Sequence, residues 1–276
     1  MNNVKTVKGL FNSFFTFGII CLFCNLSELS AQYNPILTVK GGTFYLKDSV
    51  VVSVYGDMLN QVPVNDNDNL PAMRVSQLAL LDIHGSFINN YKCGQPPVID
   101  NNGNLLFSAM YNDGTIIVKD DWVNNDTFWG GTASGNVILS SVDPQLITGT
   151  HPTTFNILSL DSAGVKTQTL NAVVTKRLIL GNSQLNTDLY KMSVTNAVAS
   201  SVDWITGFVS TNTNANNSIY GRLERLTNNS GANYVFPMGQ DVNGTIHRRY
   251  ASLAPNSSDS TVYDVSFFYA AYQLWL

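Results

Sequence analysis

The chain has 276 residues, 44% of them hydrophobic and only 12% charged, with 15 Lys and Arg against 19 Asp and Glu. That mildly acidic balance disfavours nucleic acid as a partner, and three cysteines are too few for a disulfide framework. Strand-like apolar runs at short intervals exclude a disordered chain, so the composition points to an all-β protein rich in Asn, Thr, Ser and Gly.

Residues 1–31 read as a signal peptide. Lys5 and Lys8 precede a mostly apolar run from Leu10 to Leu26, and Ser30 and Ala31 supply a small-residue exit. Cleavage after Ala31 is expected. Ile20 precedes Cys21 and Phe23 precedes Cys24, so neither cysteine has the small neighbour that a lipid anchor needs. No integral membrane segment remains after the leader is removed. Cys93 is then the one cysteine left, and an exported chain without internal disulfides must be held by a continuous core and backbone ladders.

Three stretches then align without a gap, beginning at Val51, Leu80 and Thr115 and ending at Gln61, Asn90 and Asn125. Each reads as an apolar-alternating strand, a Gly or Asp corner, a large apolar residue and an Asn pair. The period of two puts Val52, Val54, Leu81, Ile83, Ile116 and Val118 on the core face. It puts Ser53, Tyr55, Asp82, His84, Ile117 and Lys119 on the other. Asn60, Asn89 and Asn124 fall in register. They predict a ladder of amides at the corner, where Asn also tolerates a left-handed backbone; solvated turn residues are the plainer reading. Between the repeats lie loops from Gln61 to Pro71 and from Gly94 to Asn104.

Past Val137 the apolar positions recur in units of about twenty residues, punctuated by Gly149, Gly164 and Gly181. Such units are too short for a helical crossover and predict strand-turn-strand coils. The expected fold is therefore an all-β β-solenoid of parallel β-helix-like stacked coils over 32–210. A smaller, incomplete β-sandwich-like unit over 211–276 follows a polar loop from Thr211 to Ser218. A β-sandwich throughout is the alternative.

The search for chemistry finds no phosphate loop, no paired-histidine zinc motif and no nucleophile elbow, since Ser134 sits wrongly in Gly131–Gly135. No catalytic residue and no cofactor-binding residue is nominated. Asp82 and His84 share an outward face where an acid and a base could act, but the matching residues in the other repeats, Ser53 with Tyr55 and Ile117 with Lys119, differ in type. Asp66 and Asp68 alternate with asparagines as oxygen donors and are the candidate calcium ligands, without the Gly and distal Glu of a helix-loop-helix site. Trp122 and Trp129 could stack on sugar rings. Trp122 aligns with Met58 and Phe87 and reads as core, whereas Trp129 has no such alignment. Arg222, Arg225, Arg248 and Arg249 could form a local basic face, but pairing with nearby acids such as Glu224 and Asp241 is the plainer reading.

The run Lys119-Asp120-Asp121-Trp122-Val123-Asn124-Asn125, with Asn136-Val137-Ile138-Leu139, Gln145-Leu146-Ile147-Thr148-Gly149 and Phe155-Asn156-Ile157-Leu158, resembles a recurring pattern of large Bacteroidetes surface proteins. Leu178-Ile179-Leu180-Gly181-Asn182-Ser183-Gln184-Leu185 and Phe236-Pro237-Met238-Gly239 resemble later segments of the same family. The resemblance covers most of the chain from about residue 50. It implies a secreted, cell-surface β-solenoid of adhesin or structural type, carried across the outer membrane of a Gram-negative bacterium by the type IX secretion machinery, with the family's C-terminal sorting domain lacking here. It also implies glycans or cell-surface and matrix components as partners. The expected function is non-catalytic, with a polysaccharide lyase or hydrolase on a β-helix scaffold as the alternative.

Overall fold

The computed structural model describes residues 36–40, 44–61, 73–90, 98–99, 105–106, 110–131, 134–214 and 219–267. Residues 1–31, Cys93, Asp66 and Asp68 lie outside them. Among the described residues the fold is all-β, with a 3-10 turn at Ala199–Ser201 as the one helical segment.

The strands recur in threes. Phe44–Leu46, Val51–Val54 and Asp57–Gln61 are followed by Met73–Val75, Leu80–Ile83 and Phe87–Asn90, and then by Met110–Asn112, Thr115–Val118 and Trp122–Asn124. Each strand pairs in parallel with the strand of the same rank in the next set. Phe128–Trp129, Asn136–Ser140 and Gln145–Gly149 continue the pattern. In the next two sets the first and second strands fuse into Thr153–Asp161 and Ala172–Ile179, followed by third strands Lys166–Gln168 and Gln184–Asn186. Fusion joins first and second ranks into one sheet of fourteen strands; the third rank forms a separate sheet of ten, both counted among the described residues. The repeats read from sequence thus contain the second strand and the third. The first-rank strands, only two or three residues long in the early sets, escaped that reading.

The strands from Arg222 onward join the same sheets. Arg222–Thr227 runs parallel to Lys191–Val194, and Tyr234–Val242 meets Phe208–Ser210 at Met238 and Val209 before folding back antiparallel on Thr245–Leu253. Residues 211–214 of the predicted polar loop are described. Thr213–Asn214 pairs antiparallel with Ile219–Tyr220, and buried Thr211 donates its hydroxyl to the Phe267 carbonyl at 2.9 Å. Val98–Ile99 and Leu105–Leu106 likewise form a short antiparallel pair inside the second long loop.

Period-two burial decides the core. Val54, Ile83, Val118, Leu139 and Leu160 occupy one register and all are buried, as the alternation predicts. In the third rank, Met58, Phe87 and Trp122 superpose and are fully buried. The Trp122 ring lies 4.7 Å from that of Phe87, 4.8 Å edge-on from Phe128 and 5.5 Å from Phe155, and its Nε1 donates to Thr153 Oγ1 at 3.2 Å.

Asn60, Asn89 and Asn124 do form the amide ladder. Asn60 Nδ2 donates to Asn89 Oδ1 and Asn89 Nδ2 to Asn124 Oδ1, both at 2.9 Å, and all three residues are fully buried. Their placement differs from the sequence expectation. They lie within third-rank strands, and none has the left-handed backbone of a corner residue. A buried amide costs little only when its donors and acceptors are matched, and an identical amide one strand spacing away does that. The ladder stops at the next register position, Gly149, where a Cβ would lie 1.9 Å from the Asn124 carbonyl oxygen and φ is +130°.

Buried polar side chains also satisfy carbonyls left unpaired where the chain turns between rows. Gln145 Nε2 donates to the carbonyls of Val118 and Asp120, and Ser183 Oγ to that of Ser162. Lys166 is fully buried and its Nζ donates to the Ser141 carbonyl at 2.6 Å. Burial pulls the Lys166 ammonium down to about 8 from 10.5, with Asp161 and Asp143 opposing the shift. Between those two values the unfolded chain holds a proton that the folded chain has released, so stability rises with pH across that window and the contribution levels off above it. The expected result is a higher melting temperature at about pH 9.5 than at about pH 7.5. Lys166→Met should remove most of that rise in parallel scans; an unchanged rise in the variant would assign it to other groups.

Candidate functional site

The first-rank strands present one outward residue each. In Met73-Arg74-Val75 and Met110-Tyr111-Asn112 the flanking residues are buried and the middle one faces out; in Phe128-Trp129 the Phe is buried and the Trp is not. Parallel pairing brings these outward residues side by side in the order Tyr45, Arg74, Tyr111, Trp129, Thr154. The Arg74 guanidinium carbon lies 5.4 Å from the Tyr45 ring centre and 5.2 Å from that of Tyr111, within cation–π range of both. Tyr45 is 46% exposed and Trp129 39%.

Trp129 forms one wall of a groove of about 520 Å³ whose other lining includes Thr154, Asn156, Thr175, Lys176 and Asn196. Two local features open it. Gly130 packs so tightly on the neighbouring strand that a Cβ would sit 2.3 Å from the Asn156 nitrogen, so no side chain can fill the space beside the indole. The pairing of the two fused strands also slips between Phe155 and Ile157, setting Thr175 and Lys176 against Asn156 alone. Asn156 is 4% exposed. Its Oδ1 accepts from Thr175 Oγ1 at 3.3 Å, while its buried Nδ2 makes no hydrogen bond. Asn196 Nδ2 caps the Lys176 carbonyl at 2.9 Å. The groove therefore combines an aromatic face, two hydroxyls, two amides and one cation, the kinds of group that orient a polar ligand on an apolar platform.

Asp82 and His84 do meet, on the outward face of the second rank. His84 Nε2 lies 3.2 Å from Asp82 Oδ2, and Lys119 Nζ lies 3.3 Å from the same oxygen and 3.1 Å from His84 Nε2. The Tyr55 and His84 ring centres are 4.4 Å apart. The change of residue type from repeat to repeat, which argued against a site, is what lets these neighbours complement one another.

None of the four arginines pairs with Glu224 or Asp241, the acids expected for them. Arg225 is fully buried and donates to the carbonyls of Val235 at 2.6 Å and Ala199 at 2.7 Å and to Ser201 Oγ at 3.2 Å. Its guanidinium also lies 5.4 Å from the Tyr234 ring centre, and burial pulls its pKa down to about 10, with Tyr234 opposing. Arg222 pairs with Asp264 at 3.2 Å, and Glu224 pairs with Lys191 at 3.1 Å. Arg248 Nε donates to the Thr206 carbonyl. Asp121, half-buried, accepts from the Leu146 N–H at 2.7 Å. Burial pushes its carboxyl up, the Leu146 N–H opposes that, and neighbouring Asp120 adds to the rise.

Among the described residues there is no group of three or more His, Cys, Asp or Glu placed to hold a metal ion, and no helix is long and apolar enough to cross a membrane. Asp66 and Asp68, the candidate calcium ligands, lie outside those residues. Sequence reasoning named Trp129 as a sugar-stacking candidate but missed Tyr45, Arg74 and Tyr111. They sit at irregular intervals because the loops between sets vary in length. The available signal was the buried-outward-buried trio at the start of each set. No family model matches the chain, and no curated protein or solved structure matches it at a significant level.

Proposed function

We propose that the chain is a β-solenoid exported from a Gram-negative cell by a leader cleaved after Ala31 and passed to the surface by type IX machinery. There it works by adhesion or as surface structure, without turnover, and contacts glycans. The strands recurring in threes, each paired in parallel with its equivalent, support the solenoid reading. The observation that carries the function is the outward row Tyr45, Arg74, Tyr111, Trp129 leading into an open groove. A repeated scaffold offers such a row as an extended face, and weak contacts add when many copies are displayed together. The chain beginning at Gln32, immobilised at high density, is expected to retain glycan-coated beads far better than the free chain binds the same glycan in solution. Incubation with those glycans should release no new reducing ends.

The enzymatic alternative, a polysaccharide lyase or hydrolase, draws on the Asp82, His84 and Lys119 cluster. Glycan cleavage that disappears in Asp82→Asn while the fold is retained would establish that reading and overturn the adhesive one.

A further inference from the structure

We infer that the row from Tyr45 to Trp129 and the adjoining groove form one continuous track for an anionic polysaccharide. Its chain would run across the strands, with its acidic groups meeting Arg74 and Lys176. This rests on the glycan-binding reading above and adds the direction and the charge of the ligand.

Direction follows from register. Tyr45, Arg74, Tyr111 and Trp129 occupy successive positions across paired strands, hence about 4.8 Å apart. An extended hexose chain advances by a comparable step for each sugar, so consecutive rings can lie over consecutive side chains. Beyond Trp129 the same line enters the groove, where the hydroxyls of Thr154 and Thr175 and the amide of Asn156 face sugar hydroxyls. Asn156 Nδ2, buried and without a hydrogen bond, supplies a donor there. A ligand oxygen that takes it removes the cost of an unmatched buried amide.

Charge follows from the two cations. Arg74 is held between two tyrosine rings and has no carboxylate partner among the described residues. Lys176 lines the far part of the groove. They lie on strands four steps apart in the sheet, about 19 Å at 4.8 Å per step. A planar guanidinium with open edges recognises carboxylate or sulfate oxygens, and two cations spaced along one track favour a polymer with repeating negative groups. Aromatic platforms also stack nucleobases. Two cations on a chain of net charge −4 nonetheless give little of the phosphate neutralisation that nucleic-acid binding needs.

The test is calorimetric titration of the chain from Gln32 with polygalacturonate, dextran sulfate, a neutral β-glucan and oligo-dT. Binding to polygalacturonate or dextran sulfate should exceed binding to the neutral glucan and weaken as salt is raised. The better of the two identifies the acidic group as carboxylate or sulfate. With oligogalacturonides, affinity should climb with length and level off at about six units, the number of strands crossed from Tyr45 to Lys176. Trp129→Ala should weaken binding to every glycan about tenfold, with Trp129→Phe, which keeps a ring, recovering part of it. Arg74→Gln should weaken only the anionic ligands. Tighter binding to the neutral glucan, unaffected by Arg74→Gln, overturns the charge assignment and leaves the glycan reading standing. Preference for oligo-dT replaces the ligand class, and absence of binding to all four overturns both readings.

Discussion

Ile83→Asp is expected to abolish the folded array. Ile83 is fully buried, and its register neighbours Val54 and Val118 point the same way, so a carboxylate there finds only apolar side chains. An unpaired buried charge costs several kcal/mol or more, and its protonated form still leaves an unmatched polar group. Against a typical total stability of about 5–15 kcal/mol, that removes most or all of the margin. Because each set buries its apolar side against its neighbours, the damage spreads to the sets on both sides. Val51→Asp is the control. Val51 lies on the neighbouring second-rank strand but is 62% exposed, and its replacement should move stability by only about 0.5 kcal/mol. Thermal melts followed by circular dichroism separate the two; equal melts would mean that the inward parity is misassigned.

Arg225→Ala should be the second severe change, at about 3–5 kcal/mol in urea titrations. Desolvating a guanidinium is unfavourable, and the depressed pKa reflects it. Removing it is worse, because the carbonyls of Val235 and Ala199 and the hydroxyl of Ser201 lose their donor inside the structure. These acceptors come from a 3-10 turn and from a strand of the other sheet, so Arg225 ties three segments together. Hydrogen exchange should quicken around Ala199–Ser201 and in Tyr234–Val242 before it does near Val54. Arg225→Lys should rescue little, since one ammonium cannot reach all three acceptors with the geometry of a planar fork.

What can be read from sequence tracks how many residues carry each signal. The second strand of each of the three aligned repeats spans four residues, enough to show the period of two, so the inward placement of Val54, Ile83 and Val118 is legible from the alternation alone. The in-register asparagines are legible for the same reason. Met73–Val75 and Phe128–Trp129 are too short to reveal alternation, and the outward row they carry went unrecognised. Polar residues that face inward hid others. Lys166-Thr167-Gln168 is a strand whose buried members are Lys and Gln, because carbonyls at the turns need donors and a core made only of apolar residues would leave them unsatisfied. Burial of Arg225 escaped for the same reason. The groove depends on a bulge and on a glycine pressed against a neighbouring strand, neither of which has a periodic signature.

The passage from each third-rank strand to the next first-rank strand differs greatly in length. It is brief between Asn124 and Phe128 and long between Asn90 and Met110, yet the pairing on either side keeps its register. Closing a longer loop adds only slowly to the entropic cost, so insertions at this corner are nearly neutral for the core. The same corner opens onto Arg74, Tyr111 and Trp129. Evolution can therefore lengthen, shorten or rewrite the segments bordering the exposed row while the buried ladder stays fixed. Such a chain can diversify the surface it presents at this corner without having to solve its folding problem again.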